Sequence, residues 1–439
     1  MILVIAEKPS VAQSIAKVLG ATSRKDGYME GGNYIVSWCF GHLVELADAS
    51  SYDERYAKWR YDDLPIVPEN WMFEVTKDKA QQFKVLSALM KDKRVTELVC
   101  ATDAGREGEL IFRLVYNKAG CTKPFKRLWI SSLEDSAIRE GFRHLRDGKE
   151  YDRLYEAALS RSKADWIVGI NGTRLFTTLY HKKLVVGRVQ TPTLAMLVER
   201  DGKISTFHKE KYFNVHVGKG DLTADLEKVK TEEEAKRIAA ACEKKQAVVS
   251  SLKRETKTVN PPKLYDLTTL QREANRYYGF TAQQTLDLVQ TLYEKKLLTY
   301  PRTDSQFITD DMEDTARQVI SIVCRQFPLF SGVLVTPDIA RVTDNSNVTD
   351  HHAILPTVQL EKQDVSALPQ SEQKILNLVG MRLLCATGEK HTYAETQISL
   401  SCESYTFKTK GKTVVQNGWK AIEELFKASL LSLIHISEP

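Results

Sequence analysis

The chain opens on an unbroken apolar run, residues 1–6 (MILVIA), whose lack of polar alternation predicts a strand buried on both faces. Pro9 suits the first turn of a helix, and Val11, Ile15, Val18 and Leu19 recur at helical spacing until Gly20 ends the pattern. Residues 98–101 repeat the scheme: a short apolar run, a glycine-containing turn, then Glu109, Leu110, Ile111 and Phe112 leading into a second helix. Strand–turn–helix used twice predicts a parallel, Rossmann-like sheet over residues 1–140. Residues 150–205 pattern as mostly helical. Strands are expected at 212–217 and 247–252, with a helix at 231–243 between them. "NPPK" (260–263) reads as a linker, followed by helices at 267–278, closed by Gly279, and at 282–296. Residues 395–415 alternate again, which predicts a return to the β-rich region. The last stretch, "SLLSLIHISEP" (429–439), has neither caps nor useful periodicity and is expected to be a non-native tail.

A chain of 439 residues suggests three or four domains at roughly 100–200 residues each. With 42% hydrophobic and 27% charged residues, it has the composition of an ordinary globular protein able to bury several cores. The net charge of +5 admits an acidic partner without demanding one. The 7 cysteines are scattered and form no C-x-x-C pair, which argues for a reducing compartment and against a disulfide framework or a zinc ribbon. The apolar opening is too short for a signal sequence, and no run approaches the roughly 18 apolar residues of a membrane span. The expectation is a cytoplasmic protein with no membrane partner.

Glu7 follows the first strand and Asp103 the second, and in open parallel sheets ligands gather off the carboxyl ends of the strands. A lone acid at a strand end is ordinarily just solvated. Here two strand ends each carry an acid with a base nearby (Lys8, Arg106), and Glu107 and Glu109 follow on the next turn. Converging carboxylates repel unless a cation lies between them, and oxygen-only ligation suits Mg²⁺. The dinucleotide fingerprint is absent, and "GKT" (411–413) lacks the earlier glycine of a Walker loop, so no nucleotide cofactor is expected. In "TYPRTDS" (299–305), Tyr300 follows the apolar Leu297 and Leu298. Local context permits a packed aromatic ending a strand, or a nucleophile with Arg302 beside it.

"AEKPS" (6–10) and "ATDAGREGE" (101–109) resemble the two signatures of the Toprim domain. "TYPRTDS" is similar to the active-site motif of type IA DNA topoisomerases, particularly bacterial topoisomerase III. "GHLVEL" (41–46), "RLWISSL" (127–133), "ADWIVGINGTR" (164–174), "GRVQTPTL" (187–194), "LYDLTTLQREAN" (264–275) and "HHAILPT" (351–357) resemble further family segments, in order along the chain. Two features depart from the pattern. The family's D-x-D-x-E reads Asp103, Gly105 and Glu107 here, and the chain stops soon after "NGWKAI" (417–422), where family members continue.

The resemblance implies a multidomain fold mixing α/β, α and β units around a toroidal core, incomplete at its C-terminus. Its parts would be a Toprim domain (1–145), the first half of a helical base (146–211), a β-rich arch (212–258), a helical domain carrying the tyrosine (259–394) and the return of the arch (395–428), before the tail (429–439). It implies a monomer acting on single-stranded or underwound DNA. Tyr300 would be the nucleophile, Arg302 would contact the scissile phosphate, and Glu7 would trade a proton with the leaving 3′-oxygen. Lys8 would hold the phosphate or ease ionisation of Tyr300, His351 would hydrogen-bond near the phosphate, and Asp304 would orient neighbouring groups. Glu7, Asp103 and Glu107 would bind Mg²⁺, and Asn171, Thr173, Arg174, Arg188 and Gln190 would line the DNA path. The competing readings are a fragment that binds or cleaves single strands without passing them, another Toprim enzyme such as a primase or nuclease, and a Rossmann-type cofactor enzyme.

Overall fold

The structure is a computed structural model that describes residues 1–434, apart from residues 227, 334–335 and 349–350. Its first unit runs β1 (Ile2–Ala6), α1 (Pro9–Leu19), β2 (Ser23–Lys25), β3 (Tyr28–Gly31), β4 (Tyr34–Trp38), β5 (Val44–Leu46), the one-turn α2 (Ala49–Tyr52), β6 (Phe73–Val75), α3 (Ala80–Lys91), β7 (Glu97–Ala101), α4 (Arg106–Lys118), β8 (Phe125–Arg127), α5 (Asp135–Arg143) and β9 (Arg146–Asp147). Seven strands form one sheet in the order β2-β3-β4-β1-β7-β8-β9. The central strands β4, β1, β7 and β8 are parallel, and the edge pairings are antiparallel. Strand alternation divides the core into two layers. Leu3 and Ile5 pack with α3 and α4 on one face. Val4 and Ala6 pack with α1 and α5 on the other. The apolar run of β1 therefore reports burial on both faces, as expected.

The helical section comprises α6 (Asp152–Tyr180) and α7 (Gln190–Ser205). Trp166 anchors α6 to the first unit by donating its indole N–H to the Ala47 carbonyl at 2.9 Å and packing edge-on against Tyr52 and Trp71. Next come β10 (His216–Lys219), β11 (Leu222–Asp225), α8 (Glu232–Cys242) and the long β12 (Val248–Val259). The chain then builds a large helical core from α9 (Leu267–Tyr278), α10 (Ala282–Glu294), α11 (Glu313–Gln326) and α12 (Gln370–Ala386). Strands β13 (His391–Cys402) and β14 (Tyr405–Gln416) complete a second sheet in the order β10-β11-β14-β13-β12, with a small core of its own.

The last element, α13 (Lys420–Ile434), departs from expectation. Residues 420–428 do not continue the β-rich return. They turn back onto the helical core, where Ile422 and Phe426 are buried and Phe426 meets the rings of Tyr277 and Tyr278. The stretch expected to be a non-native tail continues this helix to residue 434, with Leu430 packed on the same core. Its remaining residues, 435–439, lie outside the described ones. Among the described residues no helix is long and apolar enough to cross a membrane.

Candidate active site

Strand β1 pairs with β4 on one side and β7 on the other, so the chain order reverses between β1 and β7. Crevices at such switch points, off the carboxyl ends of the strands, are where open α/β sheets bind ligands. Glu7 leaves the end of β1 and Asp103 the end of β7. The two acids meet there: the Asp103 backbone N–H donates to Glu7 Oε2 at 3.4 Å.

The turn that carries Asp103 is held from beneath. Arg127 is fully buried and donates to the carbonyls of Cys100, Thr102, Leu128 and Asp103. Its charge is balanced by Glu109 at 3.1 Å, which Arg113 also engages at 2.8 Å. Glu109 is thus neither a substitute metal ligand nor a helix-surface residue, because two guanidinium groups consume it inside the fold. Gly108 lets the turn close: a Cβ there would stand 2.0 Å from the Asp103 carbonyl oxygen.

The helical domain delivers Tyr300 onto this edge. Thr299 is pinned to the "AILPT" segment by Thr299 N–H to the Leu355 carbonyl (2.9 Å) and Leu355 N–H to Thr299 Oγ1 (2.9 Å). The Tyr300 N–H donates to the Ser131 carbonyl of the first unit at 3.2 Å. Its ring is 8% exposed, set edge-on to Tyr293 (5.4 Å) and tilted over His351 (4.3 Å). Its hydroxyl is close enough to the Asp103 carboxylate that each group shifts the other's ionisation. Both readings of Tyr300 therefore hold together: the ring is packed, and its oxygen faces the acids.

The electrostatics follow from burial. Desolvation first, then the charge of Asp103, pushes the Glu7 carboxyl up to about 7. Asp103 is also raised, chiefly by desolvation, with Lys8, Tyr300 and Arg302 opposing. Burial beside one another thus favours the protonated form of both acids. Burial and both acids push the Tyr300 phenol well above its ordinary value, and Arg302 alone among the leading influences pulls it down. Arg302 is exposed, yet its charge reaches all three groups. His351 is held down to about 4, first by desolvation. Its Nε2 donates to the Ala104 carbonyl, and its Nδ1 accepts from the Ser131 hydroxyl at 3.0 Å. Both ring nitrogens are engaged, so in this state His351 is a neutral buttress under Tyr300.

Other expected site residues are placed differently. Lys8 pairs with Glu294 at 3.0 Å, where Ser10 (3.2 Å) and Gln290 (3.1 Å) also bond, and its charge still favours ionisation of Glu7 and Asp103. Glu107 turns outward, half exposed, toward His42 Nε2 at 3.8 Å. Among the described residues no group of three His, Cys, Asp or Glu side chains converges as a metal cage. Glu7 and Asp103 are together, and Glu107 is not with them. Asp304 is exposed and acts on His351 through its charge. Asn171 holds the backbone of Ile66 through two bonds of its amide, and a third goes to the Ile167 carbonyl. Arg174 is buried, donates to the Tyr56 carbonyl at 2.8 Å and lies over the Trp59 ring. Thr173 braces Val186. Only Arg188, paired with Asp165, and Gln190 present exposed side chains at the start of α7. Sequence alone assigns no role to Ser131, Tyr293 or Glu294. Ser131 lies inside the "RLWISSL" match, and the other two carried no signal beyond helical spacing.

A parallel sheet with paired acids at its switch point, met by a helical domain that seats a tyrosine on those acids, is the core of a type IA topoisomerase. Residues 2–133 match the Toprim domain, and residues 149–431 match the family described as DNA topoisomerase. The chain belongs to that DNA topoisomerase family. It is 41% identical to DNA topoisomerase 3 of Bacillus licheniformis over 96% of this chain and 59% of that protein. With DNA topoisomerase 3 of Bacillus subtilis the identity is 41% over 96% of this chain and 60% of the relative. The chain thus spans about three-fifths of the length of these relatives. Full-length topoisomerase I from Thermotoga maritima shares the fold, with a TM-score of 0.72 at 24% identity, covering 96% of this chain and 67% of that one.

Proposed function

We propose that this chain cleaves one strand of DNA by transesterification at Tyr300, leaving a 5′-phosphotyrosine link, and reseals it after strand passage, without nucleotide and with Mg²⁺. The observation that carries the reading is Tyr300 seated on Ser131 and His351 at the strand ends where Asp103 and Glu7 meet, with the Glu7 carboxyl pushed up to about 7. In cleavage the phenol oxygen bonds to phosphorus as the bond to the 3′-oxygen breaks. The phenol proton has a nearby acceptor in Asp103, and Glu7, protonated in a large fraction of molecules near pH 7, supplies the proton to the leaving oxygen. Reversing both transfers reseals the strand, and the phosphotyrosine ester keeps the energy of the broken bond. Arg302, on the surface beside the acids, supplies charge for the phosphate.

Glu7 and Asp103 fit a divalent ion, because two hard carboxylates that repel one another are the donors Mg²⁺ takes alongside water and phosphate. Glu107 could join them only by leaving His42. When bound, the ion neutralises the pair and aligns phosphate oxygens. Arg188 and Gln190 are the exposed residues best placed for the strand, and affinity should fall steeply with salt.

The test is denaturing electrophoresis of the chain with end-labelled single strands and Mg²⁺, beside Tyr300→Phe. A covalent adduct is expected from the parent and none from the variant; an adduct that survives in Tyr300→Phe would remove the reading. Cleavage without strand passage is the alternative reading. Relaxation of negatively supercoiled plasmid separates the two: adducts without a ladder of topoisomers identify cleavage alone.

A further inference from the structure

The first unit and the tyrosine domain enclose a cleft of about 620 Å³ on the α1/α5 side of the sheet, opposite the face that packs against α4 and α6. Its walls carry four cations, Lys17, Arg139, Lys296 and Lys362, against one acid, Asp135, which Lys296 already engages at 2.7 Å. Lys17, Arg139 and Lys362 have no ion-pair partner within 4 Å among the described residues and act on Asp135 at most through space. The cleft shares Ser136 and Arg139 with a second cavity of about 540 Å³. That cavity is walled by Thr299 and His352, the chain neighbours of Tyr300 and His351. The cationic groove thus adjoins a cavity behind the nucleophile, which itself carries Glu134, Glu140 and Asp311 with Arg139 and Arg143. The exposed Arg188 and Gln190 lie beside the middle of α6, where Arg188 pairs with Asp165, and α6 packs on the other sheet face.

From this we infer that the groove holds the DNA strand downstream of the cut, the part that stays joined to Tyr300; the inference rests on the function proposed above. In-line displacement sends the 3′-oxygen away from Tyr300. The upstream strand therefore departs toward the α6 side, and the downstream phosphates remain beside the tyrosine's own loop. Three unpaired cations there neutralise backbone phosphates without reading bases.

The experiment compares the unmutated chain with the triple variant Lys17→Gln, Arg139→Gln, Lys362→Gln, all exposed side chains whose loss leaves the cores intact. Cleavage is mapped first. Then single strands ending about two nucleotides past the cut, or extended by about twelve on the 3′ or the 5′ side, are titrated by fluorescence anisotropy across salt. The variant is expected to bind the 3′-extended strand about tenfold more weakly, with a salt slope lower by about 2, and the short strand within about twofold. Equal losses on all strands, no loss, or a loss confined to 5′ extensions would each overturn it. Absence of any Tyr300 adduct from the unmutated chain strikes the function reading instead. In that event, crosslinks from strands carrying 4-thiothymidine decide the groove by themselves: attachment to peptides containing Lys17, Arg139 or Lys362 supports it, and attachment only elsewhere refutes it.

Discussion

Tyr300 sits where its own ionisation is opposed, because burial, Asp103 and Glu7 all favour the neutral phenol. The same crowding that raises the phenol creates the demand for a cation, and Gly105 bears on how that demand is met. A Cβ at Gly105 would meet nothing within 4 Å, so the position that is acidic in the family pattern is open in space. Gly105→Asp should therefore be tolerated, and as the residue capping α4 it should add a few tenths of a kcal/mol. It should also enlarge the rise in melting temperature that Mg²⁺ produces, through tighter binding to the folded state. A Mg²⁺-induced rise no larger than the parent's would show that this position does not face the ion. His351 offers a second test. Its folded value of about 4 lies below the ordinary 6.5, mainly through desolvation. Between those values the unfolded chain takes up a proton that the folded chain excludes, so stability falls as pH drops from 6.5 toward 4 and levels off below. The effect is on the order of 3 kcal/mol. In urea unfolding, His351→Gln should lose midpoint less steeply across that window than the parent; parallel curves would mean that the imidazole is not excluded from protonation.

Among the elements, α7 stands apart: none of its 16 residues is buried, and Leu194, Leu197 and Val198 are each at least 60% exposed. A helix without a packed face keeps only its own weak cooperativity. Its amides should exchange with deuterium far faster than those of α12, where Leu376, Leu378 and Leu384 are fully buried; comparable protection would mean that α7 has found a partner in solution. The contrast also marks what patterning could reveal. Helix α9 falls at its expected bounds because an Asp266 cap and a left-handed Gly279 punctuate it. Helix α10 ends at Glu294, not at residue 296, because Lys296 adopts a positive φ of 64 degrees. The expected strand at 247–252 is the first half of β12, whose exposed outer faces give no apolar alternation to follow. Within the site, Glu7, Asp103, Tyr300 and Arg302 were legible because strand ends and one motif place them. The inward turn of Arg174, the hold of Asn171 on Ile66 and the pairing of Lys8 with Glu294 depend on contacts between segments distant in sequence, which local spacing does not encode.

At the scale of the molecule, the first unit and the tyrosine domain meet through a seam of few bonds: Tyr300 and His351 on Ser131, His351 on Ala104, Lys8 on Glu294 and Lys296 on Asp135. Apart from Tyr293 and Tyr300, the helical core stays on its own side, and the two units have separate clusters. A seam built from ion pairs and hydrogen bonds around two aromatic rings is easier to part than a shared apolar core. The Lys296–Asp135 pair, with side chains 20% and 40% exposed, should contribute about 0.5–1 kcal/mol to closure. Reversing one charge, as Lys296→Asp or Asp135→Lys, should widen the distance between spin labels placed on α1 and α11. Combining the two should restore it, because the exchanged charges attract again. The cycle isolates the pair from the general effect of each substitution. If the double variant stays as open as the single ones, the pair does not latch the seam, and closure rests on the bonds around Ser131.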